Sequence, residues 1–204
     1  MNLGNWSHNA YYQRLLLREV PAGSDRVLDV GCGTGALASR LAERATAVDA
    51  LDIDPDMIDT ARRRVPGNVR CLLADAMEHP LEASGYDAIV SLTTLHHLPL
   101  EPALRRLSAA VRPGGVLAVV AMPRIDLPRD LPVELLAIAG QRALGAAFGV
   151  LGRYQREEAD VSMPTKGSDL TTAQVRDVAT RVLPGSHVRR LVFWRYLLRW
   201  QRPS

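Results

Sequence analysis

Several things are scarce in this chain. Its 204 residues include two cysteines, Cys32 and Cys71, one lysine, Lys166, and only 5% aromatic side chains. The cysteines follow no metal-ligand spacing, and Cys32 lies inside a glycine-rich stretch where a disulfide would distort the turn. No metal site and no disulfide scaffold is therefore expected, and the cytoplasm is the expected compartment. Met1 to Asn9 holds Asn, Gly, Trp, Ser and His with no basic segment leading into an apolar one, so no signal peptide is expected. The most apolar stretch, Leu131 to Gly152, is interrupted by Glu134, Gln141 and Arg142 and falls short of the roughly 20 apolar residues that a membrane span requires. Acids are missing from the end of the chain, where Arg181 to Arg202 contains six arginines and no Asp or Glu. Elsewhere Asp and Glu are interspersed with arginine and the formal charge is only +3, so a basic tail alone gives weak grounds for nucleic-acid binding.

What is present is enough apolar material, 47% of residues, to fill one core. Its periodicity alternates between strand and helix. Strands are expected near Arg26–Val30, Ala47–Ile53, Val69–Leu73, Tyr86–Val90 and Val116–Ala121, with helices near His8–Glu19, Gly35–Arg44, Asp56–Arg64 and Glu101–Val111. Asp54-Pro55 reads as a helix cap followed by proline at the first helical position, and Arg112-Pro113-Gly114-Gly115 as a helix stop before a new strand. Thr171-Thr172-Ala173-Gln174 fits a capping box for a helix ending near Val182. His187–Phe193 and Arg195–Gln201 read as a terminal antiparallel hairpin. Such alternation predicts an α/β fold: a seven-stranded, mostly parallel, doubly wound sheet with an antiparallel C-terminal hairpin, in three αβα layers.

The most informative segment is Val27-Leu28-Asp29-Val30-Gly31-Cys32-Gly33-Thr34-Gly35, a buried-strand pattern running into three glycines at alternate positions and then a helix-forming run. Glycines there let the backbone turn tightly and approach a ligand closely, and a helix N-terminus follows. A dinucleotide site would show Gly-x-Gly-x-x-Gly. The spacing here is Gly31-x-Gly33-x-Gly35 with a carboxylate, Asp29, two residues upstream, which suits a ligand carrying an ammonium group better than a phosphate.

Four further motifs follow in order: Leu51-Asp52-Ile53-Asp54; Ala74-Asp75-Ala76; Tyr86-Asp87-Ala88-Ile89-Val90-Ser91 leading to Leu95-His96-His97-Leu98; and Val111-Arg112-Pro113-Gly114-Gly115. With these the chain resembles a class I S-adenosylmethionine (SAM) dependent methyltransferase of the small-molecule and quinone methyltransferase branch, closely from about Val27 to Val120. The resemblance implies SAM as cofactor, with S-adenosylhomocysteine as product. It places Asp29 at the methionine ammonium, Gly31, Cys32, Gly33 and Gly35 in the cofactor loop, and Asp52 at the ribose hydroxyls. Ile53 and Met57 fall on the adenine side, Asp75 and Ala76 at the adenine amino group, and Ser91 and Leu92 at the sulfonium end. Structural alternatives stand beside these: a strand-end or buried aspartate, and a turn cap for Asp75.

Methyl transfer from a sulfonium needs alignment more than acid–base help, because a neutral thioether leaves. A base helps a phenolic acceptor, whose pKa is about 10. His96 is the candidate catalytic base, with His97 beside it as a substrate contact; one histidine of such a pair commonly packs inward. Tyr11 and Tyr12 are candidates to close over the acceptor, with core packing as the alternative. One domain over 1–204 is expected, in which the N-terminal helix (about 5–20) and an insertion (about 122–166) form a lid or, alternatively, a dimer contact; a monomer or homodimer is expected. The expected acceptor is a small, hydrophobic or aromatic molecule. An RNA or protein methyltransferase and a non-catalytic SAM-binding partner subunit remain as alternatives, and no Asn-Pro-Pro-Tyr type sequence follows the fourth strand to favour nucleic acid.

Overall fold

The computed structural model describes residues 8–124, 126 and 168–204. Trp6 and most of the expected insertion lie outside the described residues. Element order is α1 (His8–Glu19), β1 (Ser24–Val30), α2 (Ala36–Leu41), β2 (Ala45–Asp52), α3 (Pro55–Arg64), β3 (Val69–Leu73), β4 (Tyr86–Leu92), a 3-10 turn (Leu95–His97), α4 (Leu100–Ala110), β5 (Val111–Ala121), α5 (Thr172–Val182), β6 (His187–Leu191) and β7 (Arg195–Gln201). The seven strands form one sheet in the order β3-β2-β1-β4-β5-β7-β6. All pairs are parallel except β5 with β7 and β6 with β7. The chain winds outward from β1 to β3 and then crosses back to β4, so the strand order reverses between β1 and β4, where α/β folds bind ligands at the carboxyl ends of their strands.

The period-two alternation of the strands builds the layers. Val27, Val48, Ala50, Ala88, Val90, Ala118 and Val120 face α1, α2 and α3, while Leu28, Val30, Ile89, Leu117 and Val119 face α4 and α5. A strand buried on both faces reads as a continuous apolar run, as Val116–Ala121 does. Caps fix the helix starts. The Asp54 side chain accepts from the N–H groups of Asp56 and Met57 with Pro55 at the first turn, and Thr171 and Gln174 form the reciprocal capping box.

Three expectations change. The helix expected over Gly35–Arg44 ends at Leu41, because Ala45 is already paired with Ser24 in the sheet. The stretch Arg112-Pro113-Gly114-Gly115, expected to separate helix from strand, belongs to β5. Val111 pairs with Tyr86, the register then shifts, and the C-terminal tail supplies partners: Gly114 N–H donates to the Arg202 carbonyl and Arg202 N–H to the Gly115 carbonyl, each at 2.9 Å. The first hairpin strand stops at Leu191, because Phe193 and Trp194 both take left-handed backbone conformations (φ 56°) in the turn.

One ionic knot ties three strands together. Asp49 on β2 is buried; its carboxylate accepts from Arg26 on β1 (Nη2, 2.8 Å), from Arg70 on β3 (Nε, 2.8 Å) and from the Tyr86 hydroxyl on β4 (2.9 Å). Burial by itself would raise its pKa; the hydrogen bonds from Arg70, Tyr86 and Arg26 outweigh it and hold the carboxyl below its ordinary value. Asp49→Ala is expected to cost about 2–4 kcal/mol in urea denaturation, short of the full value for a wholly buried pair because both guanidinium groups reach solvent. The Asp49 contribution is present above the ordinary aspartate pKa and lost as pH falls through the lowered folded-state value. The gap between parent and variant therefore closes in acid.

Candidate functional site

The glycine loop is fastened to the end of β2. Gly31 and Cys32 N–H groups both donate to the Leu51 carbonyl, at 2.7 and 3.0 Å. Gly33 N–H donates to Asp52 Oδ2 at 2.8 Å, and Asp54 N–H to Asp52 Oδ1 at 3.0 Å. Asp52 is half-buried, and each of its oxygens keeps a lone pair beyond its backbone bond. Three loop amides are thus already engaged, which leaves little of the amide array that a pyrophosphate requires.

Asp29 lies one turn of the pleat before the loop. The alternation that sends Leu28 and Val30 toward α4 sends Asp29 toward α2, where it is 1% exposed. Neither carboxylate oxygen has a hydrogen-bond partner. Burial, with the Asp52 charge second, raises its pKa to about 7; the Ala38 backbone amide opposes this weakly. A buried carboxylate without a donor is costly and calls for a cation or an N–H-rich group. Cys32 beside it is buried and free, its thiol held protonated by burial first and then by the charges of Asp29 and Asp52.

Gly31 (φ +74°) admits no side chain: a Cβ there would lie 1.9 Å from Thr94 Oγ1 and 2.5 Å from Thr94 Cβ. Thr94 follows β4 and reaches across to β1, a contact that sequence reasoning missed. The glycine signals a close approach, but not by which residue. Gly35 (φ +82°) caps α2, and a Cβ there would meet Val65 Cγ1 at 2.6 Å.

Toward β3, Ile53 is 68% and Leu73 51% exposed. These two large apolar side chains left in solvent flank the Asp52 end of the loop, since Asp52 pairs with Leu73. Met57 and Ala76 are half-buried nearby in sequence. Asp75 realises its capping alternative through one oxygen, Oδ1 accepting from Met77 N–H at 2.7 Å. Ser91 turns inward: its hydroxyl donates to the Val30 carbonyl at 2.9 Å and the residue is fully buried. Leu92 is half-buried.

At the far end, Thr93 N–H donates to the Val120 carbonyl at 2.7 Å, which sets the 3-10 turn against β5. His96 and His97 rings lie 4.0 Å apart. His97 is exposed. His96 has both ring nitrogens buried without a partner, and burial, then His97 and Arg195, lower its pKa to about 4. It is therefore neutral near pH 7 and a weak proton acceptor. Tyr12 is a correction. It is completely buried against the core under α1, its hydroxyl donates to the Val192 carbonyl and is pushed up to about 12 mainly by burial, so it packs the fold and does not face an acceptor. Tyr11, edge-on to it at 5.1 Å, is 45% exposed and keeps its candidacy. Arg195, the first residue of β7, was read in the sequence only as part of a basic tail. An open depression of about 420 Å³ lined by Leu81, Pro102, Arg105 and Arg106 lies against α4, where Arg106 Nε donates to the Ala76 carbonyl at 2.9 Å. Among the described residues no three His, Cys, Asp or Glu converge as metal ligands, and no helix is long and apolar enough to cross a membrane.

Comparison with known proteins agrees with this geometry. Residues 27–115 match a family described as a methyltransferase domain. An uncharacterized methyltransferase of Mycobacterium tuberculosis is 38% identical over 200 residues, covering 97% of this chain and 98% of the relative. A fatty-acid O-methyltransferase of Mycolicibacterium smegmatis is 34% identical over 131 residues, covering 58% of this chain and 46% of its own. A SAM dependent methyltransferase from Aquifex aeolicus superposes with a TM-score of 0.61 at 18% identity, over 93% of this chain and 88% of its own. At that identity the likeness speaks for the fold.

Gly31→Ala is expected to destabilise the protein by at least about 2 kcal/mol, combining a left-handed backbone with the displacement of Thr94. A double-mutant cycle with Thr94→Gly should return a coupling of about 1 kcal/mol or more, while additive losses would show that Thr94 does not cover the glycine.

Proposed function

We propose a small-molecule methyl transfer for this protein, from the premise that the chain belongs to the class I SAM-dependent methyltransferases. Family and fold imply SAM as the methyl donor, and the residues present fit it. The observation that carries the fit is the buried, donorless carboxylate of Asp29 beside the glycine loop: it suits the ammonium of the donor's amino-acid tail. Asp52 would take the ribose hydroxyls on the lone pairs its backbone bonds leave free, Ile53 and Leu73 would cover the adenine, and Asp75 Oδ2 would take its amino group. When bound, SAM supplies an electrophilic methyl whose transfer releases a neutral thioether. The chain's part is to hold the ends of the donor and to exclude water from the acceptor.

The acceptor reading rests on the C-terminal hairpin. Two of the three hairpin aromatics that would make an RNA-binding platform are withdrawn: Tyr196 and Trp200 are buried, and Trp200 Nε1 donates to the Pro184 carbonyl at 3.1 Å, while Trp194 stays half-exposed. Of the basic residues there, Arg199 pairs with Glu19 and Arg202 donates to the Val111 carbonyl. Both facts favour a small acceptor over RNA. His96 serves as a neutral wall or hydrogen-bonding group, since a base with a pKa near 4 is poorly matched to a phenol.

Asp52→Asn should weaken S-adenosylhomocysteine about tenfold in calorimetric titration, one charged hydrogen bond being worth roughly 1.5–3 kcal/mol. Asp29→Asn separates binding from stability. The folded-state pKa of Asp29, about 7, lies above its ordinary 3.8, so the ligand-free protein loses stability as pH rises between those values. Asp29→Asn is expected to raise the melting temperature at pH 8, change it little at pH 4, and weaken S-adenosylhomocysteine. A variant less stable at pH 8 would refute the donorless carboxylate. With labelled SAM and fractionated cell extract, label should enter small metabolites; label confined to RNA or protein overturns the acceptor reading.

A further inference from the structure

Where β7 begins, a half-buried guanidinium has no carboxylate partner among the described residues. Arg195 opens β7 immediately after the turn. Tyr196 pairs with Ala121 at the carboxyl end of β5, and Thr93 N–H grips the neighbouring Val120 carbonyl. The 3-10 turn bearing His96 and the start of β7 are thereby brought to the same corner of the sheet. Leu197, two residues on and on the same side of the strand as Arg195, belongs to the layer under α1 with Tyr12. Arg195 Nη1 reaches only two carbonyl oxygens of its own turn, Phe193 at 3.5 Å and Trp194 at 3.3 Å, and Nε is buried with no partner. Among the described residues no carboxylate pairs with it. Burial makes its charge harder to keep and a second cation, Arg190, adds to this, while the neighbouring Tyr12 hydroxyl stays protonated near pH 7 and offers no counter-charge. Beside it, both nitrogens of His96 are buried and unpartnered.

A half-buried cation with no carboxylate partner among the described residues, next to an unpartnered imidazole, is relieved by an anion that accepts hydrogen bonds from both. The turn that presents it is itself strained, with Phe193 and Trp194 both left-handed. Such strain concentrates where a side chain must be aimed.

We infer that Arg195, with His96 beside it, selects an acceptor bearing a carboxylate, and that this carboxylate is the group methylated, giving a methyl ester. The inference rests on the small-molecule methyl-transfer reading and narrows its substrate class. The step balances without a base. A carboxylate oxygen forms the new O–CH₃ bond as the methyl–sulfur bond breaks, its electron pair stays on sulfur, and one anion and one sulfonium cation are both neutralised with no proton moved. That accounts for an acceptor site whose histidine is a poor base. Exposed or half-exposed apolar side chains at the same corner, Tyr11, Leu92 and Trp194, suit an aliphatic remainder, and a fatty-acid O-methyltransferase is among the relatives.

The test uses the full chain saturated with S-adenosylhomocysteine. Titrating decanoate, decanol and decylamine into that complex is expected to give binding with decanoate alone. Arg195→Met should weaken decanoate at least about tenfold, the loss of one charge-assisted contact, and Arg195→Lys should recover part of it, with S-adenosylhomocysteine affinity unchanged in both. With methyl-tritiated SAM and an acidic metabolite fraction, transferred label should be released as methanol by mild alkali, as ester methyl is and amine, ether or carbon-bound methyl is not. Alkali-stable label, decanol binding as well as decanoate, undiminished decanoate binding by Arg195→Met, or no decanoate binding and no alkali-labile product overturns the carboxylate assignment while the methyltransferase reading stands. A parent chain that binds no S-adenosylhomocysteine sinks both.

Discussion

Inside the layer between β1 and α2 sits a buried carboxylate that makes no well-formed hydrogen bond, next to the glycine loop. Asp29 is there because a strand alternates: once Leu28 and Val30 face α4 and α5, residue 29 must face α2. The chain then turns within a few residues, and that turn is held from outside by β2 through the Leu51 carbonyl and the Asp52 carboxylate. Two acids thus flank one glycine loop. A loop whose amides are already bonded and whose borders are negative is shaped for a cationic ligand, which sets it apart from the phosphate cradles built on a similar strand-to-helix turn.

Beyond Thr94, which packs on Gly31, the charge changes sign. Arg195 and His96 converge there from parts of the chain far apart in sequence, the turn before β7 and the turn after β4. Of the four non-glycine residues with left-handed backbone among the described residues, Ser84, Thr93, Phe193 and Trp194, three belong to these two turns. The Tyr12 hydroxyl, donating to the Val192 carbonyl, braces the hairpin turn from α1. The core residue that resembled a substrate contact therefore acts on the site indirectly, by holding the turn that carries Arg195. In the reading proposed above, Asp29 would hold the donor's tail and Arg195 an anionic acceptor.

Much of the fold was legible because it follows from local rules. Apolar alternation marked the strands, and both the Asp54-Pro55 start of α3 and the Thr171–Gln174 capping box hold as read. Where the reading failed, a distant partner decided. The Pro113-Gly114-Gly115 stretch became strand because Arg202, nearly ninety residues later, supplies backbone hydrogen bonds, and α2 stopped early because β2 begins at Ala45 to pair with β1. At the site, the identities of Asp29, Asp52 and the glycines were readable from spacing, since a strand-to-helix turn admits few residue types.

By itself, the sequence determined the layered α/β architecture, the glycine loop with its two flanking carboxylates, and the family to which the loop belongs. The architecture depends on periodicity, and the loop with its carboxylates on short motifs in a fixed order, although Asp52 meets the loop only through the sheet, from 19 positions away. Only the tertiary structure decided that Thr94 covers Gly31, that Ser91 and Tyr12 turn into the core, that burial lowers the proton affinity of His96, and that no carboxylate among the described residues pairs with Arg195. Burial and charge balance are properties of neighbours in space, and the neighbours of these residues come from other strands and turns that no local pattern names.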